Sequence, residues 1–229
     1  MNGADLDTYL RRAVPNAHLQ TYTLEGTNNL RLLLINEDYP QAELSAEQAQ
    51  QLMDDPPYWA FCWASGWVLA QQLISHPGWV SGKRVLDLGC GSGVAGIAAL
   101  KAGASVCTFC DADATALAAT RENLRINRYD QQGRDDFAAP TICLASRLDE
   151  VDLSLVDVVL IADVFYDAEN LPLLPQLQAK CDNVIVADSR LAGRDLDGMK
   201  IDSVHRAATV PDLGEALAFR QVTIYRSTH

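Results

Sequence analysis

The segment that most constrains this chain is VLDLGCGSG at 85–93. Its first four residues read as a buried strand. The glycines at 89, 91 and 93 read as a tight turn that opens a helix. Glycine lets the backbone turn sharply there and lets a ligand come close to the N–H groups at the helix start. Beyond the turn, strand and helix patterns alternate. SVCTFC (105–110), TICLA (141–145), VDVVLIA (156–162) and VIVA (184–187) read as strands. VAGIAALKA (94–102), an Ala-rich stretch at about 114–127 and a segment near 170–180 read as helices. Apolar strands alternating with helices predict an α/β fold with a doubly wound, parallel sheet.

Upstream, HLQTYTL (18–24) and LRLLLIN (30–36) flank the turn EGTNN and predict a strand pair. From Tyr58 an aromatic run predicts a helix, with Trp63, Trp67, Ala70 and Ile74 on one face and His76–Pro77–Gly78 as its stop. HRAATV (205–210) and FRQVTIYR (219–226) are the last two strand candidates. The organisation expected is an N-terminal extension over 1–57 and a principal domain over 58–229, without internal repeats or low-complexity tracts.

Eighteen residues after Gly93, at the end of the second strand of the alternating series, stands Asp111, well placed for two ribose hydroxyls. Turn and carboxylate together predict a nucleoside cofactor and leave open which one. Gly91, Gly93 and Gly96 also satisfy the dinucleotide fingerprint GxGxxG. Against that reading, those glycines begin beyond the strand end, and Asp87 sits beside the turn, where it would repel a pyrophosphate. S-adenosylmethionine has no phosphate, and its ammonium group suits a carboxylate such as Asp87, directly or through water.

Composition narrows the partners. The 229 residues are 48% apolar, enough for a sizeable core, and carry 18 basic against 30 acidic residues, a net charge of −12. Only Lys83, Lys101, Lys180 and Lys200 are lysines. That balance argues against nucleic acid, which needs clustered cations, and favours cationic partners or plain solubility. Cysteines 62, 90, 107, 110, 143 and 181 mostly lie in apolar runs, unlike a secreted disulfide framework, so a reducing cytoplasm is expected. Cys107 and Cys110 form a lone CxxC, read as strand thiols rather than a metal site. The N-terminus lacks a signal-like apolar core, and residues 58–74 are too short for a membrane span. Neither a membrane nor a metal is expected, and a monomer is favoured.

The stretch 85–113 resembles the class I methyltransferases that use S-adenosylmethionine. This resemblance implies a Rossmann-like, doubly wound seven-stranded sheet, mostly parallel with an antiparallel last strand, plus a small N-terminal strand pair and helix. PPYWAFCWASG (56–66) and ADVFYD (162–167) narrow it to seven-strand protein methyltransferases with an Asp-x-x-Tyr motif. Within these the chain is most similar to the electron-transfer flavoprotein β-subunit lysine methyltransferases. It departs from their pattern at two places. Ala64–Ser65 replaces the Pro-Gly that usually follows the second Trp, and Asp188–Ser189–Arg190 replaces Asp-Pro-Gly-Arg. The resemblance implies methyl transfer from S-adenosylmethionine, leaving S-adenosylhomocysteine, to a protein lysine. A small-molecule amine or heterocyclic nitrogen is the alternative acceptor. A catalytically silent donor-binding module is the alternative from another class.

Several site residues follow. Asp163, at the end of the fourth strand of the alternating series, and Tyr166 are the expected catalytic and acceptor-holding pair; the other reading is a loop-capping Asp beside a core Tyr. By resemblance, Trp63 approaches the methionine end of the donor and Trp59 lines the acceptor channel, unless both are core aromatics of an amphipathic helix. Trp67 is assigned to the core. Ser146, with Arg147 and Leu148, is the expected adenine wall. Ala112 and Ala162 allow close ligand approach or simply pack. Asp55–Pro56–Pro57–Tyr58 spells a tetrad used on flipped bases by some DNA methyltransferases. Its position before the glycine motif, on an acidic chain, favours a helix-initiating turn instead. The loop at 188–200 either shapes acceptor choice or is solvated connection.

Overall fold

The computed structural model describes residues 1–14, 16–39, 56–129, 140–165, 167–191, 194–214 and 216–228. A two-stranded antiparallel sheet pairs β1 (Leu19–Thr23) with β2 (Arg31–Ile35). The main sheet holds β3 (Arg84–Leu88), β4 (Val106–Cys110), β5 (Thr141–Ala145), β6 (Val158–Ala162), β7 (Val184–Asp188), β8 (Met199–Arg206) and β9 (Gln221–Ser227), in the spatial order β5-β4-β3-β6-β7-β9-β8. Strands β3 to β7 run parallel, and β9 lies antiparallel to both its neighbours, β7 and β8. The expected seven-stranded sheet with a reversed last strand is therefore present. Because order reverses between β3 and β6, their carboxyl ends open the crevice where ligands bind in such sheets.

One face of the sheet packs on α2 (Ala64–Ser75) and α3 (Val94–Lys101), in a core that takes in Val85, Phe109, Val158 and Leu160. Leu30, Leu32 and Leu34, from β2 and the residue before it, belong to the same core, so the strand pair is packed onto the main sheet. The other face, with Leu86, Val159, Ile161 and Val186, packs on Leu174 and Leu177 of α5 (Leu173–Gln178). Cys107 and Cys110 fall in these two different clusters, on opposite faces of β4, so they do not converge on one point.

A third cluster was not anticipated. Residues Gly3–Ala13 form a helix, α1, opened by a reciprocal cap in which Asn2 Oδ1 accepts from the Asp5 N–H and Asp5 Oδ2 accepts from the Asn2 N–H. Leu6 and Leu10, one turn apart, face Trp59, Ala116 and Ala119, the alanines belonging to α4 (Ala114–Ile126). The aromatic run from Tyr58 is also different from expectation. Tyr58–Ala60 forms a single 3-10 turn, and α2 begins only at Ala64, with Trp63 as its N-cap residue. Finally, the penultimate strand lies at Met199–Arg206 rather than 205–210. Beyond it, Val210 forms a lone antiparallel bridge with Cys62.

Candidate active site

The glycine turn is closed by main-chain hydrogen bonds, to the end of β4 and within itself. The N–H groups of Gly89 and Cys90 both donate to the Cys110 carbonyl, at 2.8 and 3.2 Å, and Gly93 N–H donates to the Cys90 carbonyl at 2.7 Å. Gly89, Gly91 and Gly93 have φ of +69°, +52° and +78°, the left-handed region that favours glycine. A Cβ at Gly91 would meet nothing within 4 Å, so this part of the turn borders open space. Helix α4 braces the loop from behind, with Thr120 Oγ1 donating to the Gly91 carbonyl and Asn123 Nδ2 to the Ser92 carbonyl. Both side chains are fully buried. These two bracing residues were missed in the sequence; the available signal was a polar pair three apart on the buried face of an Ala-rich helix.

Asp111 and Asp87 hold the turn at different points. Asp111 Oδ2 accepts the Gly91 N–H at 2.8 Å and Oδ1 accepts the Asp113 N–H at 3.0 Å. This fixes its carboxylate at the end of β4, and burial raises its pKa against those two bonds. Asp87 is 2% exposed, and its Oδ2 accepts the Gly96 N–H in the first turn of α3 at 2.8 Å. Burial pushes the Asp87 carboxyl up to about 7, with the Asp111 charge adding to the rise and the Gly96 N–H opposing it. Gly96 earns its place by packing. A Cβ there would stand 2.2 Å from the Phe109 ring and 2.9 Å from Asp87 Oδ2, so it need not belong to a phosphate-binding fingerprint.

Across the crevice, Asp163 follows β6 with φ +50°, a left-handed conformation that costs a non-glycine residue about 1 kcal/mol. Its N–H donates to the Ala187 carbonyl, tying it to β7. Oδ1 accepts from Ser65 Oγ at 2.6 Å, from Ser189 Oγ at 3.3 Å and from the Ser189 N–H at 3.4 Å. Oδ2 takes none of these bonds. Burial, assisted by the neighbouring Asp188 carboxyl, pushes Asp163 up to about 6 against the Ser65 and Ser189 hydrogen bonds. Asp188 is fully buried; its Oδ1 accepts the N–H groups of Arg190 and Leu191, and burial raises its pKa too. The first part of the 188–200 loop is thus turned inward onto the site.

The two sides touch. A Cβ at Gly89 would stand 2.5 Å from Val164 Cγ2, so the glycine turn and the loop after β6 close on each other. Asn170 Nδ2 donates to the Val164 carbonyl, and Asp167 caps the Glu169 N–H, bracing that loop from its far end. Tyr166 lies outside the described residues, as does Asp55 of the tetrad; Pro56 and Pro57 lead into the 3-10 turn.

The aromatic residues sort differently from expectation. Trp59 is 1% exposed and packs with Tyr9, Leu6 and Leu10, so the structure seats it in the α1 core rather than in a channel wall. The 3-10 turn that buries Trp59 turns Tyr58 outward, 48% exposed. Trp63 is half-buried, donates its indole N–H to the Tyr58 carbonyl, and stands two residues before Ser65. Trp67, as expected, packs against the core beside α2, half-buried with its indole N–H on the Glu25 carbonyl. Ala112 and Ser146 lie exposed at the ends of β4 and β5, and the Ser146 N–H is taken by Glu150. Ala162 is half-buried at the end of β6.

Four carboxyls, Asp87, Asp111, Asp163 and Asp188, stand at or near the carboxyl ends of β3, β4, β6 and β7, and burial raises the pKa of each. A pyrophosphate would be repelled by this set. A ligand carrying a sulfonium and an ammonium would be attracted by it. The open glycine turn and the oriented Asp111 complete a fit to S-adenosylmethionine.

Residues 74–163 match the family model described as Ribosomal protein L11 methyltransferase (PrmA). The chain is 35% identical over 127 residues to the electron transfer flavoprotein beta subunit lysine methyltransferase of Danio rerio, an alignment covering 56% of this chain and 46% of that protein. Its counterpart from Xenopus laevis is 34% identical over 148 residues, covering 65% of this chain and 55% of the relative. The chain therefore spans about half the length of these curated relatives. The Pyrococcus abyssi tRNA (uracil-54, C5)-methyltransferase, solved with S-adenosyl-L-homocysteine, shares the fold: its TM-score is 0.52 at 15% identity, over 92% of this chain and 44% of that one. The family match begins within α2 and ends on Asp163, so it contains the glycine turn and Asp111 but neither Ser65 nor Ser189.

Proposed function

We propose that this chain, whose core is a class I methyltransferase domain, transfers the methyl group of S-adenosylmethionine to a lysine nitrogen of a protein. The observation that carries the reading is Asp163: a carboxylate at the crevice, one oxygen pinned inward and the other left for an acceptor. Lysine as acceptor is supported by the names of the relatives above and by the acidic edge, which suits an ammonium group. The half-buried Trp63 and exposed Tyr58, whose rings lie 5.8 Å apart, offer aromatic faces to the same cation.

Bound S-adenosylmethionine supplies an electrophilic methyl on a sulfonium sulfur. The protein's part is to hold the nucleophile in line with it, which supplies most of the rate. Asp111 orients the ribose and Asp87 faces the methionine ammonium, while Trp63 and Ala162 border the donor's reacting end. Asp163 accepts a hydrogen bond from the acceptor nitrogen through Oδ2, and Tyr166 orients the nitrogen beside it. Lysine must first lose a proton, at roughly 4.6 kcal/mol from its ordinary pKa to pH 7. An ionised Asp163 binds the ammonium and by the same attraction opposes that loss, so the proton leaves to water and Asp163 acts as a holder rather than a strong base.

The test is transfer of radiolabelled methyl into a cell extract, resolved on a protein gel beside the small-molecule fraction. A discrete protein band, lost with Asp163→Ala while donor binding by calorimetry persists, is the expected result. Label confined to small molecules would replace the lysine reading with a metabolite amine. Undiminished labelling by Asp163→Ala would overturn the role given to Asp163.

A further inference from the structure

We infer that Ser65 and Ser189 are positioning residues for Asp163: their hydroxyls hold Oδ1 turned into the protein so that Oδ2 alone faces the acceptor. The inference rests on the acceptor-holding reading of Asp163 given above. The two serines come from unrelated parts of the chain, 98 and 26 residues from Asp163 in sequence, yet both donate to the same oxygen. Ser65 is 0% and Ser189 7% exposed, so neither hydroxyl is spent on solvent. In the first turns of a helix a serine side chain commonly bonds to nearby backbone. The Ser65 hydroxyl instead reaches across to the β6 end.

Oδ1 is thereby anchored both from α2 and from the residue just beyond β7.

The groups facing Asp163 are Ser65 and the Cys62 thiol from the α2 side, and Asp188 and Ser189 from the β7 side; no ion pair to Asp163 exists among the described residues. The serine hydroxyls are therefore the side-chain groups there that favour its ionised form. Hydrogen bonds to a carboxylate lower its pKa, so removing them moves its titration upward.

The experiment is a carbon-13 NMR titration of the full chain with labelled aspartate carboxyls. The Asp163 signal is assigned by its disappearance in Asp163→Asn, and thermal melts check each variant's fold. The parent midpoint is expected at about 6. Ser65→Ala and Ser189→Ala should each raise it, and the double variant by roughly one unit, a tenfold weaker acid. Ser65→Thr, which keeps a hydroxyl, should leave the midpoint in place. An unmoved midpoint in a folded double variant overturns the clamp. Labelling of a protein extract by Asp163→Asn separates the two readings. If labelling is lost but the serine variants do not move the midpoint, the clamp fails alone. If labelling persists while the midpoint moves, the acceptor-holding role fails and the clamp stands.

Discussion

The glycine turn and the loop after β6 face each other across one crevice but are built in opposite ways. The turn is closed by backbone bonds, Gly89 and Cys90 to Cys110 and Gly93 to Cys90, and is braced by side chains from the elements that follow it directly, Asp111, Thr120 and Asn123. The side centred on Asp163 depends on side chains brought from α2 and from beyond β7. Backbone bonds change little when side chains are exchanged, whereas a side-chain clamp is made or lost by one substitution. A fold that keeps one donor while changing acceptors would be expected to divide its construction this way.

The sharpest test of that division exchanges two carboxylates for alanine. Asp163→Ala should lower turnover about 10²- to 10³-fold while leaving donor affinity within about twofold. Asp111→Ala should instead weaken the donor by about 10- to 100-fold in isothermal titration calorimetry, the scale of a lost charged hydrogen bond. If both variants lose donor affinity equally, the two sides are one unit and the comparison breaks.

Asp87→Asn should weaken the donor yet stabilise the fold at neutral pH. The folded pKa of Asp87 is raised to about 7, so stability is greatest below the unfolded value near 4 and falls as pH rises towards 7. An amide escapes that penalty. The gain over the parent should be near zero at pH 4 and reach on the order of 2–4 kcal/mol above pH 7, by urea denaturation. A gain that does not grow with pH would mean Asp87 is not destabilised by its own charge.

Gly89→Ala is the substitution expected to damage both sides. Its φ is strained for alanine and its Cβ would meet Val164 at 2.5 Å, so donor affinity and turnover should fall together. The stability loss should be about 2 kcal/mol by thermal melting. Gly91→Ala, with open space around the new methyl, should cost only about 1 kcal/mol, from backbone strain. The smallest effect concerns the aromatic rim. Tyr58→Ala should raise the acceptor KM a few-fold and change stability by less than about 0.5 kcal/mol, as exposed positions do.

The same division explains what could be read from the amino acids. The turn, Asp87, Asp111 and the strand ends stand in one contiguous motif whose spacing carries its own geometry. The position of Asp163 was readable because β6 is a run of buried apolar residues with a definite end. Its partners were not, because nothing near Ser65 or Ser189 in sequence indicates that they meet. Trp59 was misplaced for a related reason. Its environment is made by Leu6 and Leu10 of α1, a helix whose Asn2/Asp5 cap went unread. Strand β8 was displaced because it is an edge strand with mostly exposed residues and a register irregularity between Ile201 and Ser203, which spoils simple alternation. HRAATV looked the better strand by composition, yet only its first two residues belong to one.

Strand β9 separates β7 from β8 although it follows both along the chain. During synthesis, β8 therefore emerges before the strand it pairs with, residues 221–227. The bridge between Val210 and Cys62 lies on that same late stretch and anchors the segment leading into α2, beside Ser65. The donor side can form as soon as its consecutive elements exist. The side centred on Asp163 needs residues as late as Ser189, and Val210 to anchor Cys62, so ribosome-bound chains should acquire donor binding before methyl transfer.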